Sequence, residues 1–348
     1  MRLKTSTRCM GILAALLAPV LLVSCSGGGL FGKAAPTPAP VTIRLGLLPF
    51  VSNTVVQIGI DEGFFAEQGL IVEKTIFKSL SEVFPALASG QIDVATPGSI
   101  PALFNLMASG VRVKMVMSLT QHVEAPCSYV ALLARKEDVD SGKYADLASW
   151  KDARFMSVIG LTGTEAYFLS EALESVGLTI DDLQMEQGPR EVHAEALRAG
   201  QVDIIFELEP WVTRAQSEGD ISVLAPLEPY APGLQGSTIV YGAKLLDDTD
   251  AGTRFAVAYL KAARQYAQGA TPRNVEIAAA FSGQDAEFIK KLCWSYVPTD
   301  GSLNVPSLMA YQQWMYERGD IDRVMKEDEF IDVRFAKEAV RILDGKDE

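Results

Sequence analysis

The side chains best suited to catalysis or metal binding are scarce in this sequence. Its 348 residues include only two histidines, His122 and His193, and four cysteines. The H-E-x-x-H motif of zinc hydrolases, the C-x-x-C of redox proteins and the G-x-S-x-G of serine hydrolases do not occur. We therefore expect no catalytic residue, no metal site and no cofactor. We expect His193 at the exposed start of a helix, and His122 either in a loop or cap or, as the alternative, in contact with a ligand.

Two phosphate-loop patterns overlap near the N-terminus. Gly27, Gly29 and Gly32 fit G-x-G-x-x-G, and residues 27–33 fit G-x-x-x-x-G-K. Ala34 stands where a phosphate loop needs Ser or Thr, and no strand precedes the glycines, so nucleotide binding is not expected here.

Composition and charge limit the partners. The chain is 48% apolar and 22% charged, typical of a globular protein with enough apolar residues for two cores. Its 31 basic and 44 acidic residues give a net charge of -13, which argues against a general nucleic-acid binder and against a polybasic membrane-surface protein. We expect a small molecule and other proteins as partners, and no nucleic acid.

The N-terminus has the pattern of an export signal. Basic residues precede an apolar run over residues 10–23 that is too short to span a bilayer, which predicts a secretory signal peptide over residues 1–24. The sequence Leu22-Val23-Ser24-Cys25 resembles the bacterial lipobox, which implies cleavage before Cys25 and lipidation of that residue. An ordinary signal with a chance cysteine is the alternative. Residues 25–40, rich in Gly and then Pro, are predicted to be a flexible tether.

Cys127 and Cys293 are the two cysteines beyond the tether. In an oxidising compartment they could form a disulfide, and two separate buried thiols are the alternative. The sequence does not decide between them.

Beyond the tether, short apolar runs alternate with amphipathic segments. The predicted strands are residues 43–48, 71–77, 92–95, 113–119, 129–134, 155–159, 183–186, 202–206, 221–224 and 237–241. The predicted helices are residues 55–68, 80–88, 100–108, 165–176, 192–199, 211–216, 247–268, 274–280, 286–294 and 305–318. Near-continuous apolar strands separated by helices predict an α/β fold with mainly parallel sheets covered on both faces.

A nine-residue stretch recurs within the chain. Residues 86–94 (ALASGQIDV) return as residues 196–204 (ALRAGQVDI), and each copy reads as a helix end, a glycine and a buried strand. Two halves built to one pattern are therefore expected. After Pro232-Gly233 the chain is mainly helical, and this tail is predicted to pack on the first half.

Three stretches and the lipobox resemble the bacterial solute-binding proteins of the nitrate, sulfonate, taurine and thiamine-precursor group. The stretches are residues 45–50 (LGLLPF), 59–70 (GIDEGFFAEQGL) and 88–95 (ASGQIDVA), and the similarity extends over about residues 41 to 345. The resemblance implies a monomeric, lipid-anchored receptor outside the cytoplasm, which hands a small nutrient to the permease and ATPase of an ABC importer. An enzyme or a ligand-free sensory lipoprotein on the same scaffold is the alternative.

The resemblance also implies a two-lobed, type II periplasmic-binding-protein-like fold. Lobe 1 is expected over residues 41–126 and 238–348, and lobe 2 over residues 127–237, with crossings near residues 125–128 and 234–238. A ligand that touches both lobes would favour the closed form.

The cleft that the resemblance implies, placed on this chain, gives candidate ligand contacts at the ends of predicted strands, where α/β sheets bind ligands, and at helix N-termini with free N–H groups. They are Ser52, Asn53, Thr96, Gly98, Ser99, Thr162, Gly163, Thr164, Glu207, Glu209 and Trp211. Helix capping alone is the alternative for Ser99 and Thr164.

The predicted loops are poor in cations, with Lys78 and Arg190 the nearby choices. Glutamates beside a tryptophan suit a polar heterocycle with N–H donors or a cationic amine better than an anion. We therefore favour a vitamin-like heterocycle, such as a thiamine pyrimidine precursor or riboflavin. An aliphatic sulfonate, taurine or nitrate is the alternative.

Overall fold

The computed structural model describes residues 40–158, 160 and 162–345. The predicted signal peptide, Cys25 and nearly all of the tether lie outside these residues. The strands are β1 (Val41–Leu47), β2 (Leu70–Ile76), β3 (Val94–Ala95), β4 (Val113–Ser118), β5 (Gln121–His122), β6 (Val130–Arg135), β7 (Arg154–Ser157), β8 (Gln184–Gln187), β9 (Ile204–Leu208), β10 (Ile221–Pro226), β11 (Leu234–Gln235) and β12 (Thr238–Gly242).

Helices cover the sheets and form most of the C-terminal part. They are α1 (Thr54–Asp61), α2 (Phe64–Glu67), α3 (Leu80–Ala88), α4 (Pro101–Ala108), α5 (Lys136–Asp140), α6 (Gly163–Glu174), α7 (Arg190–Arg198), α8 (Trp211–Gln216), α9 (Ala243–Asp247), α10 (Thr249–Tyr266), α11 (Pro272–Ser282), α12 (Ala286–Lys291), α13 (Val305–Glu317), α14 (Glu327–Phe330) and α15 (Arg334–Asp344). Short 3-10 turns lie at Val51–Asn53, Leu147–Asp152, Ile180–Asp182 and Glu228–Tyr230.

Two five-stranded sheets share one topology. The first has the order β2-β1-β3-β12-β4 and the second β8-β7-β9-β6-β10. In each sheet four strands run in one direction, while β12 or β6 is antiparallel to both of its neighbours. The antiparallel strand enters its sheet directly from the other sheet, without the crossover helix that a parallel connection needs. The predicted α/β class with mainly parallel sheets is confirmed.

The repeated stretch forms the same ion-pair clamp in both sheets. Asp93 accepts hydrogen bonds from the backbone N–H and guanidinium of Arg44, and Asp203 does the same with Arg154. Burial alone would raise the pKa of Asp203, but hydrogen bonds from Arg154 and Arg135 outweigh it and lower the pKa to about 2. Each clamp fixes the start of the innermost strand, so the repeat in the sequence is a repeat in structure.

Three apolar clusters hold the sheets between helices. One face of the first sheet packs on α1, α10 and α15, and one face of the second packs on α7 and α8. The other face of each sheet contributes to a shared cluster with α3, α4 and α6. The amphipathic periodicity of the helices supplies these apolar faces.

The C-terminal tail packs on the first sheet, as predicted, and also reaches the second half. Helix α10 contacts α1, α2 and α15. In α13, Trp314 donates its indole N–H to Ser170 Oγ at 3.1 Å, and Tyr311 lies 5.3 Å from the ring of Tyr167 in α6. The tail therefore connects the two halves.

The chain passes between the sheets twice. It leaves the first sheet after β4 and re-enters it at β12, and the short strands β5 and β11 of these two passages pair with each other. The residue boundaries of the two lobes stay a prediction. Within the described residues, no helix is both long and apolar enough to cross a membrane.

Candidate functional site

A cleft of about 730 Å³ lies where the strand ends of the two sheets meet. Residues that follow β1, β2 and β3 form one wall, and residues of β9 or following β7 and β8 form the opposite wall. The passages between the sheets close its base through Thr120, His122, Tyr129 and Ser237. This is the position at which open α/β sheets bind ligands.

Five of the sequence-predicted residues line this cleft: Ser52, Gly98, Ser99, Thr162 and Thr164. Ser99 is fully buried, and both its backbone N–H and its hydroxyl donate to the carbonyl of Gly236, at 3.0 and 2.7 Å. These bonds tie Ser99, two residues before α4, to the second passage, so the hydroxyl can only accept a hydrogen bond from a ligand. Thr162 precedes α6 and is exposed, with Thr164 half-buried behind it.

Three predicted residues lie beside the cleft without lining it. Asn53 is buried and donates its amide to the carbonyl of Leu48 at 2.8 Å. Thr96 is buried after β3. Gly163 is the first residue of α6 with φ of 74°, a conformation that favours glycine, so its role is to let the helix begin there.

Glu207, Glu209 and Trp211 do not line the cleft either, although the sequence predicted ligand contacts at these three residues. Side chains alternate between the two faces of a strand, and in β9 it is Phe206 and Leu208 that face the cleft. Glu207 therefore lies on the opposite face, against α7.

Glu209 and Trp211 make contacts that serve packing. Glu209 accepts hydrogen bonds from the Thr213 hydroxyl and the Cys293 backbone N–H, at 2.8 and 3.0 Å. Burial raises its pKa above the usual range. The ring of Trp211 packs under the guanidinium of Arg214, 4.9 Å from its centroid.

The walls of the cleft are mostly apolar, and sequence reasoning missed most of these residues. They are Leu48, Phe50, Leu80, Ile100, Val130, Val158, Phe168, Phe206 and Leu208. These residue types are equally common in a buried core, so the sequence does not mark them as cleft residues. Only the alternation of side chains along β9 could have indicated which of its residues face the cleft.

Two further rings at the base of the cleft are polar. Burial lowers the pKa of His122 to about 4, so the imidazole is uncharged near neutral pH, and its ring lies 5.1 Å from Phe168. Burial raises the pKa of Tyr129 to about 12, so the phenol stays protonated. The sequence predicted His122 in a loop or cap, with ligand contact as the alternative. His122 lies in β5 and lines the cleft, at a position where a ligand can contact it.

A buried polar network stands behind the second wall. Arg190 lines the cleft and donates to Glu207 Oε2 at 2.8 Å and to Glu165 Oε1 at 3.1 Å. His193 is fully buried, with Nδ1 2.7 Å from Glu207 Oε1 and Nε2 3.0 Å from the carbonyl of Gly188. The prediction that His193 is exposed was wrong, because α7 turns this residue toward β9.

The carboxylates of this network neutralise the positive charge of Arg190. Two carboxylates contact its guanidinium, which leaves little positive potential for an anionic ligand. Burial raises the pKa of Glu165 above its ordinary range, and Arg190 opposes that rise. Lys78, the other predicted cation, also lines the cleft, but at an exposed position.

Cys127 and Cys293 form a disulfide, with a Cα–Cα distance of 5.6 Å. It joins the first passage between the sheets to the segment after α12. No group of three or more His, Cys, Asp or Glu side chains within the described residues could hold a metal ion.

Several solved structures share this fold at low sequence identity. The ligand-binding component of an ABC-type import system from Staphylococcus aureus, with zinc bound, is 16% identical over 86% of this chain and 99% of its own, with a TM-score of 0.69. The alkanesulfonate-binding protein SsuA from Xanthomonas axonopodis pv. citri, bound to MOPS, is 16% identical over 85% and 99%, with a TM-score of 0.65. The nitrate-binding protein NrtA from Synechocystis PCC 6803 is 13% identical over 89% and 91%, with a TM-score of 0.68.

These similarities confirm the type II periplasmic-binding-protein fold that the sequence resemblance implied. No curated protein sequence matches the chain. The model of the NMT1-like family matches residues 36–226, which is more than half of the chain. The chain therefore belongs to the NMT1-like family.

Proposed function

We propose that this protein is an extracytoplasmic receptor that captures a small organic solute for an ABC importer. The observation that carries the proposal is the cleft of about 730 Å³, whose two walls come from equivalent strand ends of the two repeated sheets. A volume of this size suits a molecule of vitamin or drug size. Family membership and the fold support the same function.

The receptor works by closing its two halves on the solute. A solute that touches Leu80 on one wall and Phe206 on the other makes more contacts when the halves approach each other. The solute therefore binds the closed form more tightly than the open form, and this difference in affinity determines how far its binding shifts the population toward the closed form. The permease then distinguishes the loaded receptor from the empty one by its shape.

The solute that suits this cleft best is an uncharged or cationic aromatic heterocycle, such as a thiamine pyrimidine precursor or a flavin. Phe168 and Phe206 offer aromatic surface on the second wall, and Leu80 and Ile100 offer apolar surface on the first. Arg190 is already paired with two carboxylates, so an anion gains little from it.

An aliphatic sulfonate or nitrate is the second candidate. Two of the similar structures are an alkanesulfonate-binding protein and a nitrate-binding protein. This candidate is also supported by Lys78, which lines the cleft, and by the N-terminus of α6, where helix N–H groups can bind an anion. The N-terminus of α4 supports it less, because its first residue is Pro101, which has no N–H to donate.

Lipidation of Cys25 and a monomeric state complete the proposal. Export with a lipid anchor would keep the receptor at the outer face of the cytoplasmic membrane, beside its permease. Mass spectrometry of the mature N-terminus tests the anchor. A diacylated Cys25 is expected, and a mature chain that begins elsewhere contradicts it.

Calorimetric titration with riboflavin, an aminopyrimidine, taurine and nitrate tests the solute. We expect one heterocycle to bind at one site per chain and to be recovered unchanged, whereas an enzyme would convert it. Tight binding of taurine or nitrate alone would reject the heterocycle, and failure of every compound to shift the thermal unfolding would favour a ligand-free sensory protein. Ligand at 100 times its Kd should stabilise a receptor by about 2.7 kcal/mol.

A pair of leucine variants locates the site. Leu80 lines the cleft, whereas Leu178 is also half-buried but does not line it. Leu80→Ala should weaken binding by about 15-fold to 60-fold, the effect of losing two or three buried methylene groups at about 0.8 kcal/mol each, and Leu178→Ala should not. Equal affinities of the two variants would move the site elsewhere.

A further inference from the structure

Glu165 differs from the other members of the buried network in having an unused oxygen. Its Oε1 accepts the hydrogen bond from Arg190, while Oε2 is buried and accepts no hydrogen bond among the described residues. The Ser157 hydroxyl lies near enough to lower the pKa of this carboxyl but donates its hydrogen to the carbonyl of Gly160. Both oxygens of Glu207, in contrast, are occupied by Arg190 and His193. A buried carboxylate oxygen without a partner loses its hydration and gains no hydrogen bond in return, so its presence calls for a partner that the described residues do not supply.

The position of Glu165 makes a ligand the suitable partner. It is the third residue of α6, only 6% of it is exposed, and it lines the cleft beside Arg190. Asp320 also lines the cleft and also has a buried oxygen, Oδ2, without a hydrogen bond, but its side chain is 17% exposed, so solvent reaches it more readily than Glu165. Glu165 therefore combines burial, an open acceptor and a place in the cleft wall.

The chemistry of the network restricts what can fill that position. Arg190 is balanced by Glu165 and Glu207, so an anionic group next to Oε2 would meet a carboxylate without gaining a free cation. A donor N–H, neutral or protonated, would instead satisfy the open oxygen. Hydrogen bonds to a charged acceptor are about twice as strong as neutral ones.

We propose that Glu165 is the specificity-determining residue of the cleft and accepts a hydrogen bond from an N–H group on the solute. The solute class is then an aromatic heterocycle with an exocyclic amine or a ring N–H. This inference rests on the proposed receptor function and adds the atom that selects the solute. Phe168 and Phe206 pack on the ring while Glu165 reads its N–H edge.

Paired ligands test the inference by calorimetric titration. One pair is 4-amino-2,5-dimethylpyrimidine and 2,5-dimethylpyrimidine, and the other is riboflavin and its N3-methyl derivative. We expect the N–H member of at least one pair to bind the wild-type protein at least tenfold more tightly than its partner. Equal binding within both pairs, or preference for the partner without the N–H, would overturn the inference.

Variants assign the effect to Glu165. Glu165→Gln should weaken the N–H ligand by about 10-fold to 100-fold and leave its partner unchanged. Glu171→Gln is the matched control, because it lies on the same helix but does not line the cleft. Equal losses for both ligands in Glu165→Gln would reduce Glu165 to a structural role, and if that variant does not fold, the ligand pairs on the wild-type protein still decide.

The outcomes separate the two levels of the proposal. Binding of taurine or nitrate without binding of either pair overturns the role of Glu165 and keeps the receptor. Failure of every compound to bind overturns the receptor function itself.

Discussion

Removing the Cys127–Cys293 disulfide should destabilise the protein strongly. The bond closes a loop with a sequence separation of 166 residues, which contains the whole second sheet. A cross-link of this span lowers the entropy of the unfolded chain, and for loops of this length the chain-entropy estimate is about 5 kcal/mol. Native disulfides contribute about 2–5 kcal/mol in practice, so we expect a loss of about 3–5 kcal/mol.

Cys127→Ser is the most suitable variant, because Cys127 is exposed whereas Cys293 is buried. Equilibrium unfolding in guanidinium chloride, followed by tryptophan fluorescence, gives the change in the midpoint. Reductant provides the control, since it should lower the midpoint of the wild-type protein to that of the variant and have no effect on the variant. A wild-type midpoint that reductant leaves unchanged would refute the reasoning.

Three further predictions concern the fold and the limits of the cleft. Asp203→Asn removes the second clamp and should lower the free energy of unfolding by about 1–2 kcal/mol, after allowance for the solvent around Arg154. Because the pKa of Asp203 is lowered to about 2, this contribution is full above about pH 4 and fades toward pH 2. Urea unfolding at several pH values should therefore show that the variant loses less stability in acid than the wild-type protein, and Asp93→Asn should behave alike. Glu209→Gln and Trp211→Ala should lower the melting temperature yet change solute affinity less than twofold, and a tenfold loss of affinity in either would restore them to the site. Trp314→Phe should lower the free energy of unfolding by about 1 kcal/mol through the lost bond to Ser170, and an unchanged urea midpoint would show that the bond contributes nothing.

The fold was largely predictable from the sequence, because the buried strands and amphipathic helices follow simple periodicities. The predicted helices at residues 80–88 and 211–216 have the observed bounds. The repeat of residues 86–94 predicted the matching halves, and the structure adds that it carries the aspartate of each clamp. The antiparallel strands β6 and β12 were not predicted as such, since strand direction depends on how the chain passes between sheets.

The site was predictable at the level of strand ends and less so for individual side chains. Small polar residues such as Gly98, Ser99 and Thr162 line the cleft because loops after parallel strands converge there. Glu207 was chosen for its chemistry, but its neighbours Phe206 and Leu208 face the cleft because side chains alternate along β9. Glu165 is hidden in the sequence as an ordinary first-turn helix residue, and only the burial of one free oxygen distinguishes it.

A crystal structure of the protein saturated with the tightest-binding of the titrated compounds would show directly whether the solute binds between the two sheets. We expect ligand density between the two sheets, in contact with Leu80 on one wall and with Phe206 and Glu165 on the other. Density at any other place on the surface, or a cleft that holds only water at saturating ligand, would contradict it.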